Sequence, residues 1–386
     1  MTALLVLIYF IFISLGLPDA ILGAAWPVMY PQFNVPVSYM GAISMIISLG
    51  TVVSALNSDW LTRRFGTARV TAVSVGMTCA ALFGFSSCRA FWMLCLWAVP
   101  YGLGAGSVDA AINNYVAIHY ESRHMSWLHC MWGVGATTGP FIMGWVLTGG
   151  KTWNAGYRTV GLLQLILTAI IVFSLPLWKK KNSELSPSEG KKSEKSVSVR
   201  QVLSIPGAKE LLTMFFCYCA VEQTVIYWGS SYLVLAKGIA AEQAANYGSM
   251  FCIGITVGRF VSGFITLKLD DVKMIRLGQA VVGLGIALIL IPGLNEFMTV
   301  AGLILIGIGC GPIYPCALHS TPTHFGADRS QAIIGMQMAF AYIGSLAMPA
   351  LFGVIGNAIS VSIFPIYLLL IVALMFVMHE KMLKKI

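Results

Sequence analysis

Apolar residues run along this chain in long blocks, and short polar clusters separate them. The blocks are uniformly apolar, with neither strand alternation nor the one-sided stripe of a soluble helix. Their lengths of about twenty residues match the thickness of a bilayer core. Twelve membrane-spanning helices are predicted, over residues 4–30, 40–61, 68–87, 91–118, 126–148, 157–178, 210–235, 243–267, 273–293, 297–318, 329–355 and 359–378. Several connecting loops are very short, so neighbouring helices are expected to be antiparallel. The first block continues through Pro18-Asp19 without a small-residue cleavage site and follows no basic leader, which favours a first span over a signal peptide.

Composition agrees. The 386 residues are 58% hydrophobic and 10% charged, against about 25% charged in a soluble domain. The net charge of +9 is distributed as an orientation signal rather than a nucleic-acid surface. Nineteen Lys and Arg fall in one set of loops and the C-terminal tail, and four fall in the other set. Both termini and the long middle loop are therefore expected on the cytoplasmic side of the plasma (inner) membrane. Lys179–Ala208, rich in Lys, Ser and Glu, reads as a flexible cytoplasmic linker. It divides the chain into an N-terminal six-helix bundle, 1–178, and a C-terminal one, 209–386.

The halves repeat. Asp19 and Trp26 match Glu222 and Trp228, and Gly50 matches Gly254. Gly102-x-Gly104-x-Gly106 matches Gly307-x-Gly309-x-Gly311. Gly135 to Gly144 matches Gly344 to Gly353, with Pro140 against Pro349. The offsets stay between 202 and 209. A parallel six-helix repeat marks two-bundle transporters, with substrate sites at the repeat interface. Small-residue packing explains the glycines but not an acid followed by tryptophan in both first helices.

Three carboxylates lie within predicted spans: Asp19, Asp109 and Glu222. Each costs roughly 2.5–3.5 kcal/mol to insert, so each marks a candidate functional position. Pro18 beside Asp19 frees a backbone carbonyl and predicts a kink. Desolvation and re-exposure of a carboxyl can bind and release a proton as a cavity changes sides. Asp19 and Asp109 are the candidates for that role. Candidates for substrate contact are Glu222, Gln223, Asn113, His129, Trp132, Trp228, Tyr227, Trp26 and Tyr314. Asn113 follows Asp109 by four residues and shares its helix face. The membrane tryptophans have interfacial anchoring as their alternative role. Arg259, inside the eighth span, is expected to snorkel to the cytoplasmic side, with neutralisation of an acid across the bundle as the alternative. His319 and His324 receive no role. The nine cysteines have no zinc-site spacing and read as small packing residues.

The loop Asn57-Ser58-Asp59-Trp60-Leu61-Thr62-Arg63-Arg64-Phe65-Gly66 resembles the acidic-then-basic loop between helices two and three of the major facilitator superfamily. Ala55 and Asn57 stand around where that motif opens with glycine. The resemblance implies an all-α major facilitator fold and assigns Asp59, Arg63 and Arg64 to a conformational latch. Gly104-Ala-Gly-Ser-Val-Asp109-Ala-Ala-Ile-Asn113-Asn-Tyr115, the segment around His129-Cys-Met-Trp132, and Glu222-Gln223 followed by Tyr227-Trp228 are similar to the fucose/galactose–proton symporters of that superfamily. Asp109 stands where that family usually has glutamate. The resemblance implies proton-coupled uptake of a sugar or similar small polar solute by alternating access, with no cofactor beyond the coupling ion. It also implies a monomer in the lipid bilayer. A drug/proton antiporter is the main alternative, on Gly135-x-x-x-Gly139-Pro140; against it, the span 91–118 lacks the antiporters' arginine. Sodium coupling and a non-transporting receptor in the same fold are further alternatives. No nucleophile–base set or phosphate loop suggests an enzyme.

Overall fold

The structure, a computed structural model, describes residues 3–36, 39–185, 197–291 and 295–386. Every regular element among them is helical. In chain order these are α1 (Ala3–Asp19), α2 (Ile21–Gln32), α3 (Met40–Leu56), α4 (Ser58–Phe65), α5 (Thr67–Ser87), α6 (Phe91–His119), α7 (Ser122–Thr148) and α8 (Trp153–Leu185). They continue as α9 (Val199–Ser204), α10 (Ala208–Lys237), α11 (Ala241–Ile265), α12 (Asp271–Leu290), α13 (Glu296–His319), α14 (Thr321–Phe325), α15 (Ala327–Ala358) and α16 (Phe364–Leu383). Helices dominate because hydrocarbon offers no partner for a backbone N–H or C=O, so each span must satisfy its own.

Ten described helical spans are long and apolar enough to cross a membrane, and the pair α3 and α4, bent by 55°, makes an eleventh. The remaining long helix, α7, has 27 residues but is more polar, with Arg123, His124, Ser126, His129, Thr137 and Thr138 along it. With it the count reaches the predicted twelve.

One expectation is met and one is modified. The interruption expected beside Pro18 is present: α1 stops at Asp19 and α2 restarts at Ile21. Pro18 has no N–H to give the carbonyl four residues back, so the ladder is interrupted where the acid sits. The stretch 179–208 is not coil throughout. Helix α8 runs on to Leu185, and α9 is closed by a capping box in which Ser198 and Gln201 satisfy each other's backbone N–H. Residues 186–196 of that linker lie outside the described residues.

The chain forms two compact units. One comprises Met1–Tyr115 with Leu128–Val197; the other comprises Val116–Trp127 with Ser198–Ile386. The turn 116–127 therefore belongs with the second unit rather than with the N-terminal bundle. Trp127 explains part of this: its indole packs on Phe264 and lies against the backbone of Gly263, and its Nε1 is 3.4 Å from the Phe260 carbonyl oxygen.

Inside each unit the repeated glycines are contact points. A Cβ added to Gly16, Gly135 or Gly139 would run into a carbonyl oxygen of the facing helix: Trp132, Ile13 and Leu17 respectively. Helices α1 and α7 thus lie backbone to backbone. Gly102 and Gly106 of α6 meet the carbonyls of Ile47 and Thr51 on α3 in the same way. In the second unit Gly307 of α13 meets the Phe251 carbonyl of α11, and Gly344 of α15 would place a Cβ 2.6 Å from the Phe216 carbonyl oxygen of α10. The same pairs of repeat helices touch through the same glycine positions.

A Gly135→Ala variant should lose about 1–3 kcal/mol, the typical overpacking penalty, and its thermal midpoint in detergent should fall. Gly144, from the same motif, has nothing within 4 Å of its missing Cβ. Gly144→Ala should leave the midpoint unchanged or slightly raised, because alanine is the better helix former. Equal losses in the two variants would contradict the backbone-contact assignment.

Seven of the nine cysteines are buried, Cys95 is half-buried, and Cys252 is exposed.

Candidate functional site

The first unit gathers four polar side chains around Asp19 and Asp109. Asp19 is the last residue of α1 and stays exposed at the helix break. Its Oδ2 accepts the indole Nε1–H of Trp132 at 2.9 Å, and its Oδ1 accepts the hydroxyl of Tyr101 at 3.0 Å. The geometry follows from packing. Gly16, Gly135 and Gly139 let α7 approach α1 closely enough for a tryptophan on α7 to reach the acid at the end of α1. Tyr101, on α6, is buried. An indole N–H can only donate, so Trp132 is committed to an acceptor, whereas a phenol can donate or accept.

Asp109 sits two turns further along α6 and is half-buried. Asn113 donates its amide Nδ2–H to Asp109 Oδ1 at 2.8 Å, as the four-residue spacing predicts. His129 Nε2 is 3.0 Å from Asn113 Oδ1. An amide oxygen only accepts, so His129 carries its hydrogen on Nε2. Phe12 of α1 packs edge-on against the His129 ring at 5.3 Å. Asp109, Asn113 and His129 thus form one hydrogen-bonded row from α6 to α7. Asn113 and His129 are buried and occupied within the unit.

The second unit holds a different arrangement. Arg259 of α11 is buried, with Nη2 3.2 Å from Glu222 Oε1 and 3.5 Å from the Tyr218 hydroxyl. The expected snorkelling is overturned. Gly258 and Gly311 bring α11 and α13 into backbone contact, leaving the side chain directed into the unit, where Glu222 supplies its counter-charge. Tyr314 packs, with tilted rings, against Phe215 at 4.7 Å and Tyr218 at 5.5 Å beside the pair, and its hydroxyl is 3.2 Å from the Met338 sulfur.

The other predicted contacts are dispersed. Trp26 is buried in the core of the first unit between Tyr30 and Phe91. Trp228 donates its indole N–H to the Pro349 carbonyl at 2.9 Å and packs on Phe352. Gln223 is half-buried, and Tyr227 is exposed. In the bent loop, Asp59 is buried and accepts Arg63 Nε–H at 2.8 Å and the Val197 backbone N–H at 3.0 Å. Arg64 turns away and lies over the rings of Trp60 and Phe65 at 5.4 and 5.6 Å.

Sequence reasoning missed Tyr101, and it held neutralisation of an acid by Arg259 only as the alternative, without naming Glu222. Tyr101 lies eight residues before Asp109, about two turns along the same helix, and that spacing was the available signal. Nothing in the linear order points Arg259 at Glu222.

A family model described as the Major Facilitator Superfamily matches residues 8–349. The chain belongs to this superfamily. It is therefore a multi-pass membrane transporter of a small-molecule solute, and not an enzyme. It is 22% identical to Bypass of stop codon protein 6 of Saccharomyces cerevisiae, over 94% of this chain and 79% of the other. It is 21% identical to the glucose/mannose transporter GlcP of Bacillus subtilis, over 80% and 77%. The cis,cis-muconate transport protein of Acinetobacter baylyi is likewise 21% identical, over 86% and 82%. Among solved structures, the transporter FucP in its outward conformation superposes with a TM-score of 0.77 at 13% identity, covering 98% of each chain. That likeness supports the fold alone.

Proposed function

We propose that the protein is a proton-coupled symporter that takes up a sugar or similar small polar solute, lying in the plasma membrane with both termini cytoplasmic. The observation that carries the reading is Asp19: a carboxylate at a broken membrane helix, accessible, and held by one donor that cannot accept and one that can. When Asp19 is ionised it satisfies both Trp132 and Tyr101. When it takes a proton it becomes a donor as well, Tyr101 can turn to accept, and Trp132 loses strength in its bond. A proton on Asp19 is thereby converted into a change at an aromatic side chain suited to the apolar face of a sugar ring. Asp109, on the helix that also carries Tyr101, is the second carboxyl available to the same proton. Glu222, Arg259 and Gln223 supply donors and acceptors for hydroxyl groups. The bent loop, with Asp59 holding Arg63 and the Val197 backbone, serves as the latch.

One observation favours a second reading. Arg259 stays charged at any physiological pH, and a protonated Glu222 would leave that charge to a carboxylate on the solute. A relative that carries muconate fits this alternative.

Uptake of labelled glucose, fucose and muconate into proteoliposomes, with and without an inward proton gradient, tests both. Gradient-driven accumulation of either sugar supports the first reading, and accumulation of muconate without sugar supports the second. Efflux of lipophilic dyes with no uptake of any probe would overturn both in favour of an antiporter.

A further inference from the structure

The turn between α6 and α7 is fastened to α12 and α13 by a cluster that includes none of the transport residues. His319 is the last residue of α13. Its Nε2 lies 2.9 Å from the Tyr120 carbonyl oxygen, and its Nδ1 lies 2.6 Å from Asp271 Oδ2, at the start of α12. Asp271 Oδ1 accepts the hydroxyl of Ser122, the first residue of α7. Cys316, one turn back on α13, lies 3.8 Å from that hydroxyl oxygen through its sulfur.

These contacts fix a proton count. A carbonyl oxygen only accepts, so His319 Nε2 carries a hydrogen. A neutral imidazole then has a lone pair at Nδ1. That lone pair would face a carboxylate oxygen at 2.6 Å, which repels. The contact closes with one added proton, either as imidazolium donating to carboxylate or as neutral imidazole accepting from protonated Asp271. The Ser122 hydroxyl donating to the other carboxylate oxygen suits the first form.

We propose that His319 and Asp271 form a proton-binding site separate from the transport acids, whose proton fastens the 116–127 turn to α12 and α13 and whose loss releases it. Asp109 lies on α6 eleven residues before Tyr120, which follows the end of that helix, roughly 16 Å away at 1.5 Å per residue, so this site is not an extension of the transport acids. The turn joins α6, which carries Asp109 and Asn113, to α7, which carries His129 and Trp132.

The surrounding charged groups do not supply the proton instead. Glu121 on the turn acts on His319 but is paired with Arg123 at 3.0 Å. Asp270 is held by Lys273 at 2.8 Å. Burial pushes both His124, on α7, and His324, on α14, below the ordinary imidazole range. They stay neutral where His319 faces a carboxylate. The fastened state holds one proton more than the released state, so the ratio of fastened to released falls as pH rises, by at most about tenfold per pH unit.

Hydrogen–deuterium exchange of peptides covering 116–127, on the full chain in lipid nanodiscs at about pH 6 and about pH 8, reads this directly. Rates are corrected for the intrinsic pH dependence of amide exchange. In the unaltered protein, opening of the turn should rise by roughly tenfold or more between the two pH values. His319→Gln should expose the turn at both and remove the step. Asp271→Asn gives the opposite signature. Its amide donates to a neutral Nδ1 while its oxygen still accepts from Ser122, so the turn should remain protected at both pH values. If His319→Gln fails to fold, Asp271→Asn alone decides. A turn exposed in Asp271→Asn, a step that survives in His319→Gln, or no step in the unaltered protein overturns the proposal. The solute need not be known, so this outcome is independent of whether sugar uptake is found.

Discussion

Asp19→Asn should reduce solute accumulation under an inward proton gradient to simple equilibration, while exchange of internal for external solute continues. With one coupled proton the intact protein can concentrate its solute about tenfold per pH unit, since each unit is worth 1.36 kcal/mol. The whole of that factor should vanish. Asparagine has the size of aspartate and keeps an oxygen for the Trp132 indole, which lies 2.9 Å from Asp19 Oδ2, while its amide can donate to the Tyr101 oxygen. The variant therefore imitates the protonated acid permanently. It loses the ability to take and release a proton without losing the local structure, and that is why exchange should survive. Counterflow and gradient-driven uptake, measured on the same proteoliposomes, separate the two. Undiminished accumulation in Asp19→Asn would remove Asp19 from the coupling mechanism and move the assignment to Asp109.

Glu222→Ala should be the most destabilising single change in the second unit. It strands the Arg259 guanidinium, which is buried and 3.2 Å from the lost carboxylate. Breaking one side of a buried pair costs about 3–5 kcal/mol, because the remaining charge has no counter-charge and little water. A fall in Tm on the order of 10 °C follows for a unit of this size. The double variant Glu222→Gln with Arg259→Met should regain most of it, since removing both charges also removes their desolvation penalty. Thermal unfolding in one detergent, followed through the tryptophan signal, compares the three proteins. If the double variant is as unstable as Glu222→Ala, the pair is not the source of the effect. The double variant should still fail in transport, because the hydroxyl- or carboxylate-binding groups are gone.

The glycines show how the sequence and the packing relate. The repeat of Gly102 and Gly106 in Gly307 and Gly311 is visible in the chain and already implies matched helix pairs. The structure adds which carbonyl each one faces, and so why they are glycine. Trp132 is similar. It was identifiable as a candidate, but its bond to Asp19 depends on how closely α1 and α7 approach. His129 was legible as a polar cavity candidate, yet its partner is Asn113, and the row it completes orients Asp109. Trp26 and Trp228 share a repeat position but not an environment: one lies in a core and the other bonds a backbone carbonyl. Sequence position alone gave them the same role.

His319 was passed over because a histidine near a loop carries no pattern of its own. Its meaning arises from Tyr120 and Asp271, which lie 199 and 48 residues away along the chain.

The sequence by itself determined the membrane class, the twelve spans, the two-fold internal repeat, the break at Pro18 and the identity of the intramembrane acids. These rest on local properties: apolar run length, the missing proline N–H, and the cost of charge in hydrocarbon. Only the tertiary structure decided that Asp19 is held by Trp132 and Tyr101, that Arg259 is turned inward to Glu222, and that the turn at 116–127 belongs with the second unit. Each of these joins residues far apart in the chain. Their pairing depends on the distance and rotation between packed helices, which the glycine contacts set and the linear order does not encode.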